Sequence, residues 1–299
     1  MVSEKSRGYS AILFSTFLYG WYGVFVKILG DKIPIFYQSS VRNALTVGVL
    51  LLILYVSQKH ILVPGRKDLR YVVLRGLLGS VSFFLSFISF QHLSIALAYL
   101  AFYGGLLSGG FAIGFIFNRE KLTTTKVLSL SLAFVGIVLA YAYRVQQVTD
   151  VVYVGLVFIA GIATSGWNII PQYIDKKHTF LELNLFDFII ALLVNIALSI
   201  ALREQWIGVS VSAPWLANLG LTVTLLISGL LVPYGFRKVE AQIGSIIMPL
   251  EIVFGIAIGF VVLHDHVSFA MIMGSLCIIA AVALPYMVEL LDKTHIRRR

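Results

Sequence analysis

The sequence is poor in charged residues and in cysteine. Charged residues make up 12% of the 299 positions, and Cys277 is the one cysteine. Soluble domains carry about 25% charged residues, so this chain has too little polar surface to cover itself in water. A lone cysteine also excludes an intrachain disulfide and a zinc site built from several cysteines.

Several functional motifs are missing as well. The chain has no GxxxxGK[S/T] motif, so we expect no ATPase domain. The stretch His264-Asp265-His266 has no evident third metal ligand, so we expect no metal and no cofactor. No small-residue cleavage site follows the first apolar segment, and we therefore expect no removable signal peptide.

Long apolar segments fill most of the chain. Hydrophobic residues make up 59% of it, and the mean hydropathy is +0.93. A helix that crosses a lipid bilayer needs about 20 apolar residues, and ten such segments predict an all-α integral membrane protein. The predicted spans lie near residues 9–29, 35–57, 69–91, 94–117, 124–143, 151–173, 180–201, 214–236, 241–262 and 268–289.

The net charge of +9 is distributed unevenly between the predicted loops. With the N-terminus inside, 17 of the 23 lysines and arginines lie on the cytoplasmic side and 4 on the other, while Arg42 and Arg75 lie within spans. This asymmetry predicts that both termini are cytoplasmic, and it explains the basic excess without nucleic-acid binding. The short termini favour a bacterial inner (plasma) membrane. The four cations on the outer side are Lys27, Lys32, Arg144 and Arg203.

The sequence AIGF occurs twice, at residues 112–115 and 257–260. At this offset of 145, Glu120 aligns with Asp265, and at an offset of 146 Gly20-Trp21 aligns with Gly166-Trp167. We therefore predict two five-helix repeats, 1–146 and 147–299. An odd number of spans inverts the second repeat in the membrane. Inverted repeats typically hold a substrate site near the bilayer midplane, with one half rocking against the other.

These residues resemble the drug/metabolite transporter (DMT) superfamily, in particular its EamA-type ten-helix transporters. The resemblance rests on the two Gly-Trp pairs, Arg42, GFIFNREKL and GFVVLHDHV at the ends of the fourth and ninth spans, and IMPLE at 247–251. It implies exporters or exchangers with a central cavity lined by helices one to four and six to nine. This chain departs from the family pattern at Gly104, where a proline is common, and at Asp265, where a glutamate is common.

The hypothesis that follows is a secondary active transporter, not an enzyme. It would export or exchange small organic metabolites, such as amino acids or drug-like solutes, by alternating access around a midplane cavity. A gradient must drive it, and H+ is one candidate coupling ion. Two alternatives stay open: an intramembrane enzyme acting on lipid-linked intermediates, and a membrane assembly subunit without transport.

Glu251, Arg42 and Arg75 are charged residues within the predicted spans, and each needs an explanation. Glu251 lies about ten residues from either end of the ninth span, where a charged carboxylate costs roughly 2.5–3.5 kcal/mol on insertion scales. It is a candidate for coupling or substrate binding, or for a structural ion pair with Arg42. Arg42 needs a partner, either Glu251 or a substrate carboxylate. Arg75 lies close enough to the cytoplasmic end for us to expect snorkelling.

Polar and aromatic side chains supply further candidate site residues. Helical spacing places one polar face on the seventh span and another at the end of the sixth, and these faces could line an inner vestibule or act as interhelical contacts. The aromatic residues could form a cavity for amphipathic solutes or pack in the core. The polar candidates are Asn184, Asp187 and Asn195 on the seventh span and Asn168, Gln172 and Asp175 on the sixth; the aromatic ones are Trp21, Tyr22, Tyr99, Phe102, Tyr103 and Trp167.

Small residues and one proline are candidates for hinges or close packing. Gly255 and Gly259 share a helical stripe with Gly244, Met248 and Glu251. Pro249 interrupts the ninth span, as Pro171 and Pro233 interrupt others, and such breaks are tolerable where neighbours satisfy the backbone. Gly105 and Gly109 on the fourth span allow close helix contact, within the molecule or in a homodimer.

Overall fold

Ten helical segments long and apolar enough to cross a membrane follow one another along the described part of the chain. The computed structural model describes residues 3–30, 32–58, 61–141 and 151–296. Arg144 and the predicted repeat boundary after residue 146 lie outside these ranges. The helices are α1 (Glu4–Gly20), α2 (Tyr22–Leu29), α3 (Ile35–Val56), α4 (Arg66–His92), α5 (Ile95–Ile116), α6 (Thr124–Tyr141), α7 (Val151–Ile169), α8 (Phe180–Ala201), α9 (Ala213–Phe236), α10 (Ala241–Ile247), α11 (Leu250–Leu263) and α12 (Phe269–Ile296).

Two of the ten spans are built from two helices each. The first span combines α1 and α2, which meet at Trp21, and the ninth combines α10 and α11, which meet at Met248 and Pro249. Proline lacks the backbone N–H that would continue the hydrogen-bond ladder, which explains the break in the ninth span. The sixth span ends in a 3-10 turn, Ile170–Tyr173, that contains Pro171. Several helices begin before the predicted spans, because a helix can extend beyond the apolar core of the bilayer.

Contacts between loops define two faces of the molecule. On one face, which we call the terminal face, Lys238 pairs with Glu4 at 2.6 Å, and Arg237 donates to the carbonyl oxygens of Pro171 and His178. On the other, which we call the opposite face, Glu204 accepts hydrogen bonds from the backbone N–H groups of Phe36 and Tyr37. An even number of spans leaves both ends of the chain on the terminal face.

The main contacts between helices are symmetric: each is matched by a contact between the equivalent helices of the two repeats. The second span (α3) packs on the seventh (α8), and the fifth (α6) packs on the tenth (α12), so each of these spans contacts its own equivalent. The fourth and sixth spans (α5 and α7) are in contact, as are their equivalents, the ninth and first (α11 and α1). The described residues therefore form two inverted five-helix repeats, as the sequence predicted.

Two glycines of α5 allow a close approach between α5 and α7. A Cβ atom on Gly105 would overlap the carbonyl group of Phe158, and one on Gly109 would lie 3.0 Å from the Cα atom of Ile162. Real Cβ contacts are almost never shorter than this. Gly105 and Gly109 therefore serve helix packing within the molecule.

Candidate functional site

A cavity of ≈ 230 Å³, which we call the main cavity, opens at the opposite face and reaches into the interior. Gly23 of α2, Tyr99 of α5 and Gly255 of α11 are among its wall residues. At its mouth Lys27 and Asp265 form an ion pair of 2.9 Å, and both side chains are about half exposed. The mouth is therefore polar and exposed, while the walls are largely apolar or aromatic.

Glu251 lies at the inner end of the main cavity. It occupies the first turn of α11, directly after the break at Pro249, where the positive end of the helix dipole favours a carboxylate. Tyr103 donates its hydroxyl hydrogen bond to Glu251. No cation among the described residues forms an ion pair with Glu251, and the side chain is only partly buried. The predicted pair with Arg42 is thus not formed, and the carboxylate remains accessible from the cavity.

Four tyrosines surround the inner part of the main cavity: Tyr19, Tyr99, Tyr103 and Tyr141. The ring of Tyr99 stacks on those of Tyr103 and Tyr141, with centroid distances of 6.2 and 5.7 Å. The sequence predicted Tyr99 and Tyr103 here but missed the other two. Tyr19 could have been found because it directly precedes Gly20 of the repeated Gly-Trp pair, whereas Tyr141 gave no signal at the end of the fifth span.

The remaining predicted aromatic residues lie elsewhere. Trp21 stacks on Phe25 with a centroid distance of 6.1 Å, and Phe102 packs edge-on against Tyr103. Tyr22 packs beside a buried cluster at the opposite face that includes Trp215. The expectation of one cavity lined by all six aromatic residues is therefore wrong: even Trp21 and Tyr22, which are adjacent at the junction of α1 and α2, pack against different neighbours.

The small-residue stripe on the ninth span is also divided. Gly255 and Gly259 line the main cavity, but Gly244 lies against the ring of Phe236 and Met248 is buried. The break at Pro249 separates α10 from α11, so the regular helical spacing that predicted one face does not run across it.

A second cavity of ≈ 130 Å³ lies between α3, α4, α7, α8 and α9. Arg42, Trp167, Asp187 and Asn195 are among its lining residues. Asp187 accepts a hydrogen bond of 2.7 Å from the indole N–H of Trp167. Asp187 and Asn195 of the predicted polar face of the seventh span therefore lie at this cavity.

Arg75 corrects one prediction. It does not snorkel to the membrane surface: only 1% of its side chain is exposed, and it pairs with Asp187 at 2.5 Å. It also donates to the carbonyl oxygens of Trp167 and Leu183. Within α4 (Arg66–His92), Arg75 faces the interior of the bundle and not the helix end. There a carboxylate on the neighbouring helix α8 neutralises it.

Arg42 is also buried, with 5% exposure. It donates to Asn218 Oδ1 at 3.1 Å and to Ser39 Oγ at 2.9 Å. Both partners are neutral, and no carboxylate of the described residues pairs with it. A guanidinium is always charged in proteins, so the second cavity contains a buried cation with neutral partners.

The terminal face is closed beneath the main cavity. Residues of α10 and α5 form an apolar barrier there, with exposures of 7% or less. Beyond the barrier, Glu120 accepts hydrogen bonds from the backbone N–H groups of Ala241 (2.6 Å) and Gln242 (3.0 Å), the first residues of α10. The barrier residues are Leu107, Phe111, Ile243, Ile246, Ile247 and Met248.

An open cavity of ≈ 910 Å³ lies outside this barrier on the terminal face. Gln172 lines it and accepts a hydrogen bond of 2.7 Å from Asn118. Asn168 is buried, and its two side-chain polar atoms have no hydrogen-bond partner in the described ranges. Asn184 donates to the carbonyl oxygen of Leu226. The prediction that both polar faces line one vestibule is therefore wrong, because Gln172 lines this cavity whereas Asp187 and Asn195 of α8 line the second cavity. Asp175 lies exposed at the surface.

The same backbone turn follows each of the two AIGF segments. Arg119 and His264 have left-handed φ angles of 54° and 55°. The N–H of the next residue, Glu120 or Asp265, then donates to the carbonyl oxygen of the glycine in its own AIGF segment. The sequence repeat is thus a structural repeat that directs one carboxylate at each face of the membrane.

Comparison with known proteins identifies the family. The profile of the EamA-like transporter family matches residues 6–142 and again residues 152–287. The chain belongs to the EamA-like transporter family. It is therefore an integral membrane protein and a membrane transporter of the DMT superfamily, and the resemblance read from the sequence is confirmed.

The fold is found among solved structures as well. Of 28 solved chains with a significant match, one described as "Crystal structure of protein" superposes with a TM-score of 0.79 at 16% sequence identity. The match covers 93% of this chain and 97% of that one. At this identity the likeness concerns the fold alone. A search of the curated proteins found no significant match.

Proposed function

We propose that this protein is a secondary active transporter that exports or exchanges small organic metabolites by alternating access. One observation carries the proposal: the main cavity opens at the opposite face, ends at an accessible carboxylate and is closed toward the terminal face. A solute could enter from one side and meet Glu251 without a path to the other side. That is the arrangement expected of one end state of a carrier.

The size of the main cavity favours small metabolites. Pockets for drug-sized ligands measure about 300–1,000 Å³, and the main cavity measures ≈ 230 Å³. A solute of amino-acid size therefore fits better than a larger drug. Tyrosine rings can contact its flat or cationic parts, and Glu251 can bind a donor group or a proton.

The two equivalent carboxylates supply a mechanism for alternation. In this state Glu120 caps α10 on the closed face, while Asp265 pairs with Lys27 on the open face. At an offset of 145 the equivalents of Ala241 and Gln242 are Ala96 and Leu97, in the first turn of α5. In the other end state Asp265 would cap α5 and Glu120 would be released. The N–H of Leu97 now bonds to Ser94, a weaker neutral acceptor.

The proposal includes an orientation and an energy source. The excess of basic residues favours cytoplasmic termini, which puts the main cavity in contact with the exterior of a bacterial plasma membrane. Residues 1–146 and 147–299 would move as the two halves. The drive is an ion gradient, with Glu251 as the proton carrier.

Flux measurements in proteoliposomes test this function. Vesicles would be loaded with an equimolar mixture of the twenty amino acids, and the solutes remaining inside would be measured by mass spectrometry with and without a pH gradient. We expect selective loss of a subset that the gradient accelerates. Absence of protein-dependent loss for all twenty would remove amino acids as substrates, and the same assay with a deproteinised cell extract would then decide whether the protein carries any metabolite.

Glu251→Gln separates coupling from binding. This variant keeps the side-chain volume and an oxygen that can accept from Tyr103, but it cannot exchange a proton. We expect acceleration by the gradient to disappear while solute exchange at equal pH continues. Glu240→Gln is the matched control, since Glu240 lies on the terminal face and pairs with Lys126. Acceleration that survives Glu251→Gln would remove Glu251 from the coupling role.

A further inference from the structure

Among the described residues, no carboxylate pairs with Arg42, the buried arginine of the second cavity. Asn218 and Ser39 satisfy the two Nη atoms of Arg42, but Nε has no hydrogen-bond partner among the described residues. Buried charges are normally paired, because leaving one uncompensated is strongly destabilising. Arg42 therefore has a free donor and an uncompensated charge.

The neighbouring carboxylate does not supply the missing charge. Asp187 pairs with Arg75 at 2.5 Å and also accepts from Trp167. Arg42, Arg75 and Asp187 together carry one net positive charge. Neutralising it requires an anion that the described residues do not provide.

The cavity has room for such an anion. Its volume of ≈ 130 Å³ corresponds to about four water molecules at roughly 30 Å³ each, enough for a chloride ion or a carboxylate group. Ser39 and Asn43 lie beside Arg42 in the lining, and both carry donors. The free oxygens of Asp187 and Asn195 are acceptors, and they would bind water or an N–H group of a solute.

We propose that the second cavity is an anion-binding site in which Arg42 binds a singly charged small anion through Nε. The anion is either a free ion such as chloride or the carboxylate of the transported solute. The second source rests on the proposed transport function, and the first does not. Arg42 would then be a specificity-determining residue that selects solutes bearing a negative group.

Thermal unfolding of the purified protein tests the site, because a ligand that binds the folded state raises the unfolding temperature. The baseline is sodium gluconate, whose anion is too large for the cavity, and it is replaced stepwise by chloride or by formate at constant ionic strength. We expect the unfolding temperature of the wild type to rise and saturate. A response to chloride identifies a free-ion site, and a response to formate alone identifies a carboxylate site. No saturable response to either anion would overturn the proposal and leave a cavity filled with water.

Two variants assign the response to Arg42. Arg42→Gln removes the charge and should abolish the shift. Asn218→Asp keeps Arg42 but places a carboxylate where Oδ1 now lies, 3.1 Å from Nη1, so it should supply the countercharge internally and also abolish the shift. Lys32→Gln, which removes an exposed cation at the opposite face, should respond like the wild type. A saturable shift that persists in both variants would place the anion elsewhere.

This experiment is independent of flux. Anion binding without any solute transport would overturn the transport proposal and leave the site. Solute transport without anion binding would overturn the site and leave the transport proposal.

Discussion

Glu120 and Asp265 occupy equivalent positions in the two repeats but bind different partners. Glu120 accepts from the N–H groups of Ala241 and Gln242 at the start of α10, whereas Asp265 accepts from Lys27 at 2.9 Å. Each carboxylate ends a backbone turn of the same kind, and each turn follows an AIGF segment. A symmetric fold with a cavity open on one side must be asymmetric somewhere, and these two carboxylates provide that difference at the two faces.

Removing the charge of Glu120 should shift the molecule toward the state open at the terminal face. A glutamine can offer one oxygen to the two N–H groups and no charge to the helix N-terminus, and such a loss costs about 1–2 kcal/mol. At about 1.4 kcal/mol per factor of ten, the ratio of the two states changes roughly 5- to 30-fold. In a Cys277→Ser background, a cysteine placed in the barrier by Ile243→Cys should then react faster with a membrane-impermeant maleimide. The labelling rate at position 243 is the measurement.

Two further variants make this prediction specific. Glu240→Gln changes a carboxylate next to the same helix, but Glu240 caps no backbone group, so labelling at position 243 should stay unchanged. Asp265→Asn should slow labelling at 243, because it weakens the cap expected in the other state. If Glu120→Gln and Asp265→Asn both accelerate labelling, the carboxylates do not alternate and the variants merely loosen the fold.

The sequence predicted the membrane architecture well because that architecture depends on local properties. A run of about 20 apolar residues predicts a span wherever it occurs, and the AIGF repeat with its following carboxylate revealed the internal symmetry. Glu251 was singled out by its place near the middle of the ninth span. None of these predictions required knowing which helices are neighbours.

Partners across the bundle could not be predicted in the same way. Arg75 and Asp187 are 112 residues apart, and their pairing depends on the contact between α4 and α8. The sequence placed Arg75 by its distance from a span end and therefore predicted exposure. Likewise, Tyr141 reaches the main cavity because the end of α6 lies beside Tyr99, a contact that no periodicity encodes.

The pair between Arg75 and Asp187 should be essential to stability. Breaking a buried ion pair on one side costs about 3–5 kcal/mol, because the remaining charge is uncompensated. We expect Asp187→Asn to lower the free energy of unfolding by about this amount, and Asp187→Leu combined with Arg75→Leu to recover much of it. Denaturant unfolding in detergent would measure both, and Asp175→Asn, at an exposed carboxylate, should change the free energy of unfolding by less than about 0.5 kcal/mol. A double variant as unstable as the sum of the single variants Arg75→Leu and Asp187→Leu would show that the two charges do not act as a pair.

Gly105 and Gly104 are neighbours on α5 with opposite tolerance for a side chain. A methyl group on Gly105 would overlap the carbonyl group of Phe158, whereas one on Gly104 would meet its nearest atom, in the ring of Phe158, at 3.6 Å. Overpacking costs about 1–3 kcal/mol, while alanine is a better helix former than glycine by about 0.5–1 kcal/mol. Gly105→Ala should therefore lower the unfolding temperature, and Gly104→Ala should leave it unchanged or raise it. Both variants add one methyl group to the same helix, so equal effects would mean that α5 does not approach α7 through Gly105.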